Sequence, residues 1–238
     1  MATPTAPQGK TERIRTMFNG IALRYDVVNK LMTLGIDRIW RKTTVRKVAS
    51  HSPKKILDVA VGTADLSIEL RRQCPEVEQI IGIDISEGML KKGEEKVARS
   101  GADGIKLEVA NCEALPYETE MFDTVMCAFG IRNFEHLTQG LSEMYRVTRP
   151  KGLIAVLELS VPQHPLLRLG YNIWTHTFIP FVGFLVARDR TAYNYLPQSV
   201  RKVPQYEQFT ILLEMVGYRN VGYKKLSGGI ATLYYAEK

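Results

Sequence analysis

The chain has 238 residues, 45% hydrophobic and 24% charged, with 11 Pro and 18 Gly, enough for one sizeable core and too rich in apolar residues for a collagen-like or wholly disordered chain. Its three cysteines, Cys74, Cys112 and Cys127, form no C-x-x-C pair, which argues against a disulfide framework or a thiolate zinc site and fits a reducing compartment. The net charge of +7 arises in the first 50 residues, which hold 10 Lys and Arg against 3 Asp and Glu, while residues 51 to 238 hold 22 of each.

Residues 1–9 (MATPTAPQG) lack a basic region followed by an apolar run, so a disordered leader is expected in place of a secretion signal, and the protein is expected in the cytoplasm. Over 10–50, Ile14, Met17, Phe18, Ile21 and Leu31, then Ile39, Trp40, Val45 and Val48, recur mostly at three and four residue intervals, which predicts an N-terminal helical lid. Over 51–160 the runs KKILDVAV, QIIGIDI, IKLEVAN, FDTVMCAFG and GLIAVLELS alternate with ADLSIELRRQ, EGMLKKGEEKVARS and LTQGLSEMYRVT. That rhythm predicts an α/β fold with a doubly wound, mostly parallel, Rossmann-like sheet of about seven strands. Residues 161–203 break it: an apolar stretch is interrupted by Arg168, His176 and Pro180, and its longest uncharged run, 178–187, is ten residues, half the ~20 of a membrane-spanning helix. Asp189, Arg190, Tyr193, Tyr195 and Ser199 follow, either lining a pocket or capping helices. Over 204–238, QYEQFTILLEMVG reads as a helix stopped by Gly217, and YRNVGYKKLS with GIATLYYAEK as an antiparallel hairpin around Ser-Gly-Gly.

The first strand runs into Gly62-Thr63-Ala64-Asp65 and a helix, which places a ligand at the carboxyl end of the sheet. The second strand ends at Asp84, 22 residues past Gly62, where a carboxylate can accept both hydroxyls of a ribose. A helix cap is the competing use, and Ser86 can supply that cap itself. Ala60, Gly62 and Ala64 alternate as small residues without the glycines of a pyrophosphate cradle, so S-adenosylmethionine is favoured over a dinucleotide. Asp58 suits the methionine ammonium of such a ligand, or is a buried Asp bonded locally. Asn111 can accept from an adenine amino group or close an Asx turn. His136 and His176 have no partners at metal-ligand or triad spacing, and no metal is expected.

Phe18-Asn19-Gly20-Ile21-Ala22, Tyr25-Asp26-Val27-Val28-Asn29, Leu34-Gly35-Ile36, Trp40-Arg41, Asp58-Val59-Ala60 with Gly62-Thr63, Phe129-Gly130-Ile131-Arg132-Asn133, Glu143-Met144-Tyr145-Arg146-Val147 and Leu157-Glu158-Leu159-Ser160 stand in this order. In that ordered set the chain resembles, over nearly its whole length, the menaquinone/ubiquinone-biosynthesis C-methyltransferase family, a branch of the class I S-adenosylmethionine-dependent methyltransferases. The resemblance implies methylation of a ring carbon on a prenylated quinol, with S-adenosylmethionine released as S-adenosylhomocysteine, and contacts to it from Thr63, Asp84, Asn111 and Cys112. Val61 and Ala64 stand where the family usually has glycine, Asn111 where it often has Asp, and Ala128 where some members have a cofactor-contacting Ser.

A sulfonium methyl is already activated, so the protein must hold a carbon nucleophile in line and stabilise the ring oxyanion. Arg132, just after the fourth strand, is the candidate for that charge. Asn133 would fix the ring oxygen, and Tyr25 would position the hydroxyl or relay a proton. The structural alternative pairs Arg132 with Glu135 or Asp26 and makes Tyr25 a core aromatic. With no targeting leader, demethylmenaquinol is the expected acceptor. A ubiquinone-pathway benzoquinol, another small molecule, RNA, or a nonenzymatic interaction role on the same fold are the other readings. The thin set Phe18, Tyr25 and Trp40 among the basic residues speaks against nucleic acid. The apolar 165–188 stretch offers a wall for a prenyl tail, and the basic 10–50 segment suits anionic headgroups at the inner face of a membrane. A core helix or a homodimer face is the alternative use of that stretch.

Overall fold

The structure, a computed structural model, describes residues 9–178 and 190–238. All of the expected 1–9 leader but Gly9, most of the run at 178–187, Asp189, and the side chains of Arg190 and Tyr193 lie outside what it describes. Three helices come first, α1 (Lys10–Ile21), α2 (Tyr25–Thr33) and α3 (Asp37–Ala49). The strands β1 (Lys55–Val59), β2 (Gln79–Asp84), β3 (Ile105–Val109), β4 (Phe122–Ala128) and β5 (Thr148–Leu159) then run parallel, with α4 (Asp65–Gln73), α5 (Glu87–Ser100) and α6 (Leu137–Val147) between them. After β5 come α7 (Pro165–Ile173), a wide helical turn at Trp174–Phe178, α8 (Arg190–Lys202) and α9 (Glu207–Val216). The hairpin of β6 (Arg219–Leu226) and β7 (Ala231–Glu237) pairs antiparallel with β5 and completes a seven-stranded sheet in the order β3-β2-β1-β4-β5-β7-β6.

Strands buried on both faces read as continuous apolar runs because each face needs its own set of side chains. In β1, Leu57 and Val59 pack with Leu141 and Met144 of α6 and Phe209 and Leu213 of α9. Ile56, one residue out of phase, packs on the other face with Val45 and Val48 of α3 and Leu66 and Leu70 of α4. The third helix of the expected lid is therefore a layer of the core. Thr148, read with the preceding helix, instead opens β5 opposite Phe122, where its β-branched side chain suits an extended backbone. No helix among the described residues is long and apolar enough to cross a membrane.

The strand order reverses between β1 and β4. Helices leaving neighbouring strands on opposite faces open a crevice at the carboxyl ends there.

Candidate functional site

The bend after β1 has a regular cause. Ala60, Gly62 and Ala64 have φ of 55°, 56° and 64°, so every second residue is left-handed, a conformation open to glycine and costing alanine roughly 1 kcal/mol. This is the structural content of the alternating small residues in the sequence. Gly130, after β4, faces the same bend: a Cβ there would stand 2.5 Å from Ala60 Cβ and 2.8 Å from Cys127 Sγ, so only glycine lets the two loops meet.

Gly62 N donates to Asp84 Oδ2 at 3.0 Å, and Ser86 N donates to Oδ1 at 2.9 Å. Ser86 Oγ accepts from Met89 N and caps α5, which leaves Asp84 free of that duty. Burial pushes the Asp84 carboxyl above the usual range, against the backbone N–H groups that stabilise its charge.

Tyr25, Gly62, Asp84, Asn111, Cys112 and Asn133 line one cavity with Phe129 and Met89. Its lining includes two acidic residues, Asp84 and Glu113, and, among the described residues, no Lys or Arg. A phosphate ligand would find no countercharge there, whereas a cationic, phosphate-free one would. Asn111 Oδ1 accepts from Glu113 N at 2.9 Å, closing the Asx turn while leaving its amide N–H groups for a ligand. Burial pushes the Cys112 thiol up, so it stays protonated.

Helix α1 roofs the cavity with Thr11, Ile14 and Phe18. Its first N–H groups, from Lys10 and Thr11, donate to the Glu135 carboxylate at 3.1 and 3.0 Å. Those bonds and the Thr11 hydroxyl hold the Glu135 carboxyl down at about 2. At the far end of α1, Asn19 Oδ1 accepts from Ser86 Oγ at 2.7 Å and Gly88 N at 2.9 Å. Phe18 meets Tyr25 edge-on, centroids 6.0 Å apart.

Three predicted residues stand outside the cavity lining. Thr63 Oγ1 donates to Asp26 of α2 at 2.7 Å and accepts from Lys96 at 2.9 Å, within a charged cluster that includes Asp65 and Arg41. Asp58 is buried and accepts from Ser67 Oγ of α4 at 2.6 Å, the local use of that residue. Arg132 pairs with neither Glu135 nor Asp26 but with Glu158 of β5, Nη1 to Oε1 2.7 Å, the two side chains 7% and 2% exposed. Its backbone N also donates to Glu158 Oε2 at 3.3 Å. Its Nε is buried without a partner among the described residues, so the guanidinium keeps donor capacity beyond its bonds to Glu158 and Phe129 O. Asn133 Oδ1 accepts from the Tyr195 hydroxyl at 3.1 Å. Ser199 Oγ is spent on Leu196 O. His136 Nδ1 lies 2.9 Å from Glu113, and no metal-ligating cluster occurs among the described residues.

Glu158 and Glu113 are the residues that sequence reasoning missed. The signal for Glu158 was an acid inside the continuous apolar run of β5. Glu113 anchors the loop after β4 by accepting from Glu135 N at 2.6 Å and His136 N at 3.0 Å.

Burial, opposed by the Ser67 bond and aided by Asp84, pushes the Asp58 carboxyl up to about 7 from an ordinary 3.8. A folded-state value raised above the unfolded one lowers stability as pH rises between the two. Asp58→Asn, which keeps an acceptor for Ser67, is therefore expected to gain stability relative to the parent from pH ~4 to ~7 and to hold that gain above it. Denaturation at a series of pH values checks this; a difference independent of pH would show that Asp58 does not titrate in that window.

The sequence profile of the ubiE/COQ5 methyltransferase family matches residues 7–238. A ubiquinone/menaquinone biosynthesis C-methyltransferase of Geobacter sulfurreducens is 44% identical over 96% of this chain and 90% of its own. A demethylmenaquinone methyltransferase of Porphyromonas gingivalis is 41% identical over 96% of this chain and 94% of its own. Among solved structures, the [4+2]-cyclase SpnF superposes with a TM-score of 0.74 at 14% identity, covering 98% of both chains. A SAM-dependent methyltransferase from Aquifex aeolicus superposes with 0.57 at 19% identity, over 77% of this chain and 81% of that one. At such identities the two structures speak for the fold alone.

Proposed function

Because this chain belongs to the ubiE/COQ5 methyltransferase family, we propose that its cavity brings S-adenosylmethionine to a lipid quinol, and that the acceptor is demethylmenaquinol, methylated at a ring carbon to menaquinol. The activity is S-adenosylmethionine-dependent C-methylation. One observation carries the finer reading: a single cavity holds the ribose-type carboxylate Asp84 and the lid and loop residues Tyr25, Phe129 and Asn133, with no basic side chain facing it among the described residues.

Asp84 would accept the ribose hydroxyls, Gly62 would give the bend its close approach, and Asn111 and Cys112 would face the adenine. Thr63 and Asp58 would serve from behind, the one tying the bend to α2 and the other to α4. The bound cofactor supplies a methyl group on a sulfonium, a leaving group that needs no further activation. The cavity measures about 70 Å³, and Thr11, Ile14 and Phe18 of α1 form part of its wall.

Arg132 would be the charge that serves the acceptor, from just outside the cofactor cavity. It lines a neighbouring recess with Tyr195, and its field reaches both Tyr25 and Tyr195. There it would stabilise the ring oxyanion and so favour nucleophilic character at the adjacent ring carbon. Burial keeps the Tyr25 hydroxyl protonated, so Tyr25 acts as a donor and positions the ring oxygen, with Asn133 beside it. Leu23, Val27, Leu31 and Leu34 stand exposed along one side of α2 and its ends, a surface suited to a bilayer that carries the acceptor.

Purified protein incubated with labelled S-adenosylmethionine and anionic vesicles carrying demethylmenaquinol is expected to float with the vesicles and to label the naphthoquinol ring. Label appearing only in a benzoquinol or in RNA would replace the acceptor, and protein that stays off the vesicles would remove the bilayer surface.

A further inference from the structure

A second cavity, of about 310 Å³, lies between the α2–α3 corner and the pair α7 and α8. Its walls come from Met32, Leu34 and Ile36 on one side and from Trp174, Leu196 and Val200 on the other, with Trp40 at its floor. The indole and threonine groups of this lining are bonded within the protein, and the Tyr171 hydroxyl is left as a polar group without a bond among the described residues. Trp40 Nε1 donates to Ser227 Oγ at 2.9 Å, Trp174 Nε1 to Met32 O at 3.1 Å, and Thr33 Oγ1 to Asn29 O at 2.7 Å. What remains is a concave surface offering hydrocarbon contact and almost no hydrogen bonds. Such a surface takes an apolar chain and rejects a polar ligand, whose groups would be buried unpaired.

Position says which chain. The floor residue Trp40 meets Phe129, centroids 6.2 Å apart, and Phe129 lines the cofactor cavity. Leu196 in the wall follows Tyr195, which donates to Asn133. The apolar cavity therefore adjoins the site on its acceptor side. At the other end Leu34 and Ile36 are 65% and 38% exposed, and the unpartnered apolar side chains of α2 continue from that corner.

We propose that this cavity is the seat of the acceptor's isoprenoid tail, entered at the Leu34–Ile36 corner, and that it holds the tail while the ring lies under Tyr25. The inference rests on the lipid-quinol reading above and extends it by a subsite. It accounts for two features that the ring chemistry leaves unused: the hydrocarbon lining of the cavity and the exposed leucine at its mouth.

The test compares naphthoquinols bearing zero, one, two and three isoprene units, in detergent, with the intact protein. KM is expected to fall by about tenfold or more along the series, the scale of methylene discrimination in an apolar pocket. Gly170 lines the cavity and a Cβ there meets nothing within 4 Å, so Gly170→Phe can be introduced with no clash at its Cβ and adds bulk to the cavity wall. Leu34→Asp puts a charge at the mouth on an exposed position. Each is expected to raise KM for the tailed acceptors about tenfold and leave the tailless one within about twofold. A flat series in the parent, or tailed acceptors untouched by both variants, overturns the tail seat and leaves C-methylation of the ring standing. If no quinol of the series accepts a methyl group, the lipid-quinol reading falls and the tail seat with it.

Discussion

Glu158→Ala is expected to destabilise the protein by about 3–5 kcal/mol, because it leaves the Arg132 guanidinium buried without its countercharge. For a chain of this size that corresponds to a fall in melting temperature on the order of 10 °C. Arg132→Ala exposes the opposite fault, a carboxylate stranded at 2% exposure, and should cost a similar amount. The double change Arg132→Met with Glu158→Leu removes both charges and is expected to recover most of the stability. If Arg132 stabilises the ring oxyanion, the double variant stays slow, with kcat down on the order of 100-fold. Calorimetry and turnover measured on the same preparations separate the two roles. A double variant that is both stable and fully active would confine the pair to structure. Arg132→Lys sharpens the test, since it keeps the charge but loses the planar donor set that bonds Glu158 and Phe129 O together.

Asp84→Ala is expected to weaken S-adenosylmethionine binding by on the order of 100-fold or more, the combined worth of two hydrogen bonds to a charged acceptor. The change also strips the N–H groups of Gly62 and Ser86 of their acceptor, so the bend itself loosens. Asp84→Asn keeps one carbonyl oxygen and should fall between the two. Titration calorimetry reads both, and an unchanged dissociation constant in the alanine variant would remove Asp84 from the ribose site.

The bend after β1 and the carboxylate bonded to it were legible because their logic is local. The left-handed residues 60, 62 and 64 follow one another along a single bend, and small side chains mark that conformation in the sequence directly. Asp84 ends its strand two residues before the helix cap Ser86, so carboxylate and cap could be told apart by position. The sheet was legible for the same reason: strands covered on both faces keep every residue apolar, and the alternating helices supply the cover.

The acceptor end was not legible, because its contacts cross the chain. Glu158 reaches Arg132 because β4 and β5 are paired with Ala128 opposite Leu157, which carries the end of β5 beside the loop that follows β4. Thr63 bonds Asp26 of α2 and does not line the cavity, a choice made by the meeting of Asp26 with Lys96 of α5, residues 70 apart in the chain. The apolar cavity joins residues near position 35 to residues near 170 and 200, and no spacing along the sequence records their meeting. Periodicity and turn chemistry thus determined which elements form and where the small-residue bend meets the Asp84 carboxylate. Register and packing angle decided which charges pair and which apolar walls face each other, since side-chain direction depends on neighbours that only the folded chain brings within reach.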